Sequence, residues 1–197
     1  MGVEKVLDAD AACLQERLVF AAFMLGPLLV GMSVAYYTRN DVVGWYQQVR
    51  KPTGAPPDWL YGPAWTALYV TMGYAAYRVF ETSVAQQSVP LLAIVMFGVQ
   101  FVLNQCWSLC FFSLKRWDVA LLDISLLWLA ILGTALAFAQ IERLAGLLLT
   151  PYLGFVSVAA LLNIGFIREN RQSDMVGVFK KSAASTVTSS VASKKVE

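Results

Sequence analysis

The 197-residue chain is 58% hydrophobic and only 14% charged, with a formal net charge of +2, where an average soluble domain carries roughly 25% charged residues. So few charges exclude a water-facing surface around a globular core, and no nucleic-acid partner is expected. Three cysteines and no histidine leave no disulfide framework and no paired metal-ligand spacing, and they remove the commonest general base and axial haem ligand.

The amino-terminal segment 1–17 carries Glu4, Asp8, Asp10 and Glu16, which argues against a cleaved secretory leader and against an Arg-rich transit peptide. Beyond it the charges cluster. The runs 18–38, 59–77, 82–114 and 144–167 are uncharged, and 119–141 is interrupted only by Asp123. A bilayer core about 30 Å thick needs roughly 20 apolar residues in a helix, so the sequence predicts an all-α membrane protein with a five-helix transmembrane bundle.

The first span carries small residues at a four-residue spacing, Ala22 with Gly26 and Gly31 with Ala35. Such a stripe lets another helix backbone approach closely, and it serves either a homodimer contact or packing within the chain. Pro27 is expected to kink this span. The connection 39–58 that follows is rich in proline and aromatic residues, with Trp45, Tyr46, Lys51, Pro52, Pro56 and Pro57 running up to Trp59. Loops this long are often lids over a site, although Trp and Tyr also concentrate at headgroup level for anchoring alone.

The second span opens with Pro63 in the first helical turn, where amide donors are unpaired anyway, and sets Trp65, Tyr69, Met72 and Gly73 on one face. The third does the same with Gln100, Asn104 and Trp107, and amides at membrane depth normally point into a bundle or a cavity. Cys106 and Cys110 lie one turn apart there and read as small packing residues. The tight basic turn 115–118 contains Trp117, which is expected to face the interface. Asp123 lies little more than a turn into the fourth span, marking either a polar path or a shallow carboxylate paired with Lys115 or Arg116. The last span contains Pro151 and Tyr152 and aligns Phe155, Ala159, Leu162, Asn163 and Phe166 along one face. Residues 171–197, rich in Ser, Ala, Thr and Lys, cannot bury a core and read as a solvated tail.

Counted by side, Lys5, Arg17, Arg78 and Arg143 fall on one face of the membrane. Arg39, Arg50, Lys51, Lys115, Arg116 and the basic residues of the tail fall on the other. Basic residues favour the cytoplasm, so the tail and the long aromatic loop are expected to be cytosolic.

Trp45-Tyr46, Lys51-Pro52, Pro56-Pro57, Trp59 and Gly62-Pro63-Ala64-Trp65, followed by Leu68-Tyr69 and Met72-Gly73-Tyr74, resemble the signature of the translocator protein family (TspO/MBR). The resemblance continues through Leu103-Asn104, Trp107 with Phe111-Phe112, Ala120-Leu121-Leu122-Asp123 and Pro151-Tyr152-Leu153 to Leu162-Asn163, so it spans a domain of about 18–170. It implies five helices around a cavity that binds porphyrins, such as protoporphyrin IX or haem, and hydrophobic drugs of the benzodiazepine type. Sterol binding is attributed to some members. By position the resemblance assigns the ligand site to Ala35, Trp65, Asn104, Trp107, Asp123, Phe155, Ala159 and Leu162, under a lid containing Trp45, Tyr46, Lys51, Pro52, Pro56, Pro57 and Trp59. In a eukaryote it implies the mitochondrial outer membrane.

The chain departs from the family pattern at Gly54, Gln105 and Phe155, where many members have Trp, and 161–168 lacks the central Tyr of the proposed sterol motif. Three functions follow as expectations. The first is a receptor or translocator of tetrapyrroles that uses no bound cofactor, no metal and no catalytic residue. The second is an enzyme degrading porphyrin, and the third a sterol or lipid shuttle or scaffold.

Overall fold

A computed structural model describes the backbone of residues 2–193 and the side chains of residues 10–171. Its elements are α1 (Gly2–Val43), α2 (Tyr61–Ala85), α3 (Leu91–Ser108), α4 (Trp117–Ile141), the short α5 (Arg143–Leu148) and α6 (Thr150–Ser193). Single 3-10 turns at Tyr46–Gln48 and Asp58–Leu60 punctuate the first loop, and a π turn over Leu109–Ser113 prolongs α3. No strand occurs among the described residues.

Four helical segments are long and apolar enough to cross a membrane: Asp10–Val43, Leu91–Ser113, Trp117–Ile141 and Arg143–Arg171. The 25-residue α2 matches them in length but not in mean hydropathy. It packs against the other helices along one side, burying Leu68, Tyr69, Met72, Gly73, Ala75, Ala76, Val79 and Ser83. That recurrence every three to four residues is the signature of a helix packed along one broad face.

The breaks differ from the uncharged runs in three places. Residues 82–85, read as the start of the third span, finish α2; the chain then turns at Gln87, whose φ of 49° is left-handed, and restarts after Pro90. The first helix continues to Val43, so the loop begins five residues later than the charge pattern suggests. The last run, 144–167, is divided at Leu149, with Pro151 in the first turn of the new helix, where its missing N–H costs nothing. Pro27 stands inside an α1 that is helical on both sides of it. Of the segments 1–17 and 171–197, read as flanking pieces, residues 2–17 are drawn into α1 and 171–193 into α6. Residues 194–197, with Lys194 and Lys195, lie outside the described residues.

The core joins α2, α4 and α6 through Met72, Ile124, Leu127, Ile131, Tyr152 and Val156. A smaller cluster of Tyr46, Phe111, Ala120 and Phe166 closes the loop end. In contrast, Gly31 and Thr38 are the only buried residues of α1 among those described. Met32 is 58% exposed and Tyr36 65%, and an apolar surface this continuous is one that lipid, not water, can cover.

Candidate ligand cavity beneath the aromatic loop

Where α1 leans on α2 the contact is set by two glycines. Gly31 lies against the ring of Tyr69, and Gly73 lies against the backbone carbonyl of Phe23, so that a Cβ at either would overlap its neighbour. Gly31 is therefore used inside the chain, whereas Gly26 has open space around it and Ala22 is exposed. The stripe Ala22, Gly26, Gly31, Ala35 is split between an inner and an outer face.

Beyond this crossing the helices diverge around a cavity of about 370 Å³. The first helix contributes Leu28, Gly31, Met32, Ala35, Thr38 and Val42; α2 contributes Tyr61, Gly62, Trp65, Thr66 and Tyr69. Trp107, Ser108, Phe111 and Phe112 come from the end of α3, and Phe155, Ala159, Leu162, Asn163 and Phe166 from α6. The loop adds Tyr46 and Asp58. In the π turn the Leu114 amide reaches the Leu109 carbonyl five residues back, at 2.9 Å. That wider turn lets two neighbouring phenylalanines join Trp107 on the cavity side, a placement π turns often serve at functional sites.

The aromatic lining falls into two groups. Trp65 stacks on Tyr69 with centroids 5.8 Å apart and meets the edge of Phe155 at 5.2 Å. Trp107 lies 5.1 Å from Phe111, which touches Phe112 and Phe166, and Tyr46 rests on the same set. The indole N–H of Trp107 donates to Asn163 Oδ1 at 3.3 Å, while Asn163 Nδ2 donates to the Trp117 carbonyl at 2.9 Å. Asn163 thus fixes the ring of Trp107 and ties α6 to the start of α4.

Of the residues assigned to the ligand site, Ala35, Trp65, Trp107, Phe155, Ala159 and Leu162 stand together on this wall. Asn104 and Asp123 do not. Asn104 is buried behind Tyr69, accepting from the Tyr69 hydroxyl at 2.6 Å and from Gln105 at 2.9 Å, and donating to the Tyr152 hydroxyl at 2.8 Å. Asp123 lies near Cys106 and Cys110, its Oδ2 buried without a hydrogen bond. Neither basic residue of the turn reaches it, since Lys115 pairs with Asp41 at 3.2 Å and Arg116 with Asp118 at 2.8 Å. Trp117 does not face the interface alone: it is half-buried and packs on Trp45 at 5.6 Å.

The loop lies over the mouth. Tyr46 is only 5% exposed, and burial, with Tyr61 and Asp58 nearby, raises its hydroxyl pKa above the ordinary value. Lys51 sits 4.8 Å over the Tyr46 ring and donates to both oxygens of Asp58 at 2.6 Å, with Gln47 donating to Asp58 at 3.0 Å. The Lys51 hydrogen bond holds the Asp58 carboxyl below the usual carboxylate range. From α6, Asn170 donates to the Arg50 carbonyl at 3.1 Å and accepts from its amide at 3.4 Å. Pro52 is half-buried against Gly165. Pro56 is also half-buried, whereas Pro57 and Trp59 are exposed, Trp59 by 71%. Phe111, Phe112 and Phe166 also line the cavity; the first two belong to the family-like pattern and Phe166 to the aligned face of the last span, but the resemblance assigns none of them to the ligand site.

The TspO/MBR family model matches residues 23–168. The chain belongs to the TspO/MBR family. It is similar to the "Tryptophan-rich protein TspO" of Chlorobaculum tepidum, with 39% identity over 73% of this chain and 90% of that one. It is also similar to the "Translocator protein" of Bos taurus, with 32% identity over 76% of this chain and 88% of the relative. "Protein CrtK" of Rhodobacter capsulatus is 32% identical over 77% and 92% of the two chains. The matched region covers α2 through the membrane part of α6 and all of α1 that touches the cavity.

Proposed function

We propose that this TspO/MBR protein is a membrane receptor and translocator that takes porphyrins and similar flat hydrophobic molecules into the cavity beneath the loop. The observation that carries this reading is the lining: two aromatic groups, around Trp65 and around Trp107, border one apolar space whose mouth is polar at Lys51 and Asp58. Ligand pockets of this kind are mostly apolar with a few placed polar groups. A tetrapyrrole macrocycle would stack on the indoles while its propionates stay at the wet mouth beside Lys51. Drugs of the benzodiazepine type fit the same description without the anionic edge.

In this reading α2 is the fifth membrane-crossing helix, long enough to cross although less apolar than the others. The loop and the carboxyl-terminal end face the cytosol, in the mitochondrial outer membrane if the host is a eukaryote, and Ala22 and Gly26 are the part of the small-residue stripe left free for a homodimer. No step of bond making is assigned to the cavity; porphyrin degradation is the second reading and sterol or lipid transport the third. Incubating the purified protein with protoporphyrin in light and in darkness tests the proposal. Recovery of unchanged porphyrin bound at one site per chain is expected, and a new product formed in either condition would make the protein an enzyme.

A further inference from the structure

At the end of the bundle opposite the loop, a second space of about 450 Å³ opens between α1, α2, α3 and α4. Its walls are apolar, with Phe23, Val79, Ala93, Phe97 and Phe138 on the inside. At its rim stand Ser88 and Ser83, and the Ser83 hydroxyl has no hydrogen-bond partner although the residue is only 5% exposed. A serine in a helix ordinarily donates to the carbonyl four residues back, as Ser33 does to Leu29 at 2.8 Å and Ser125 to Leu121 at 2.7 Å. Ser83 does not, so a buried hydroxyl is left facing an apolar groove, an arrangement that costs free energy unless something supplies an acceptor.

Depth identifies the occupant. On the reading proposed above, in which α2 crosses the membrane, its 25 residues at 1.5 Å each span about 37 Å, some 4 Å beyond each face of a hydrocarbon core about 30 Å thick. Ser83 lies two residues before the helix end, and so at the level where hydrocarbon gives way to headgroups. From there the groove runs along α2 to Ala76 and along α3 from Pro90 to Phe97, seven residues on each wall, or about 10 Å of the roughly 15 Å half-thickness. A polar acceptor at the boundary and a saturated chain below it are the geometry of a glycerophospholipid, with an ester carbonyl at Ser83 and its acyl chain between Phe97 and Phe138.

We infer that this groove is a binding site for one acyl chain of a bilayer glycerophospholipid, anchored through its ester carbonyl by Ser83. Native mass spectrometry of the full chain, reconstituted with phosphatidylcholine and then stripped by detergent, tests it. The wild type should keep one phosphatidylcholine per chain under conditions that remove the rest. Ser83→Ala should lower the retained fraction at least threefold. Ile94→Trp, which narrows the groove from an exposed wall position, should abolish retention, and both variants should keep wild-type porphyrin binding at the other end as proof of folding. A photoactivatable phosphatidylcholine should label the peptide containing Phe97. Equal retention in all three proteins, labelling confined to other helices, or retention of a sterol or free fatty acid in place of phosphatidylcholine would overturn the assignment.

Discussion

The Tyr69 hydroxyl donates to Asn104 Oδ1 at 2.6 Å, and through that bond a residue of the cavity wall is fixed from behind by one that never reaches the cavity. Asn104 in turn holds Tyr152 at 2.8 Å, so one amide joins three helices. Interhelical hydrogen bonds in membranes average about 0.6 kcal/mol and reach about 1.7. Asn104→Ala removes two of them and strands the Tyr152 hydroxyl, while Gln105 still donates to the Tyr69 hydroxyl at 3.3 Å, and should destabilise the protein by roughly 1–3 kcal/mol. Tyr69→Phe should cost about 1 kcal/mol or less, because Gln105 still donates to Asn104. Unfolding of both variants in detergent checks the order.

The crossing of α1 and α2 gives a sharper contrast. Gly31→Ala drives a methyl group into the ring of Tyr69, and overpacking of this kind costs about 1–3 kcal/mol. Gly26→Ala meets nothing within 4 Å and should change stability by no more than about 0.5 kcal/mol. If Gly31 instead served a contact between two copies, Gly31→Ala would weaken crosslinking in membranes and leave monomer stability unchanged.

The helical bundle was legible because charge is so scarce that its clusters mark the ends of the membrane-crossing runs. The turn at Gln87 was not, since 82–90 is uncharged and only a left-handed residue followed by Pro90 divides it. Trp65, Trp107, Phe155, Ala159 and Leu162 could be grouped because helical spacing aligns them and a family pattern orients the stripe. Asn104 and Asp123 were drawn into the same stripe by the rule that polar groups at membrane depth face a cavity. Asn104 obeys the physical requirement behind that rule through Tyr69 and Tyr152, which no spacing within α3 could reveal. Phe111 and Phe112 escaped because a π turn changes the register, and helical spacing assumes 3.6 residues per turn.

The loop over the mouth should behave as a latched cover. Asp58→Asn weakens the pair with Lys51, and Asn170→Ala removes the bonds to Arg50. Each should speed porphyrin release severalfold with a smaller change in the association rate, measurable by stopped-flow fluorescence. The pH dependence follows from sign. The Asp58 carboxyl is held below its ordinary value by Lys51, so the latch is complete above the unfolded-state pKa of about 3.9 and is lost only as the pH falls through the lower folded value. Release should therefore be flat from pH 5 to 8, and a midpoint near neutrality would rule the latch out.

The central claim is that a flat aromatic ligand lies against Trp107 inside the bundle. The direct measurement is titration of protoporphyrin into wild type, Trp107→Ala and Trp59→Ala, following quenching of tryptophan fluorescence, with circular dichroism to establish folding. Trp59 is the fitting control because it is exposed on the loop and absent from the cavity wall. A stacked aromatic contact is worth about 0.5–1.5 kcal/mol beyond its buried area, so Trp107→Ala should weaken binding about three- to tenfold. Trp59→Ala should bind as the wild type does. Non-saturable quenching of the wild type, or equal affinities in all three folded proteins, would contradict the account.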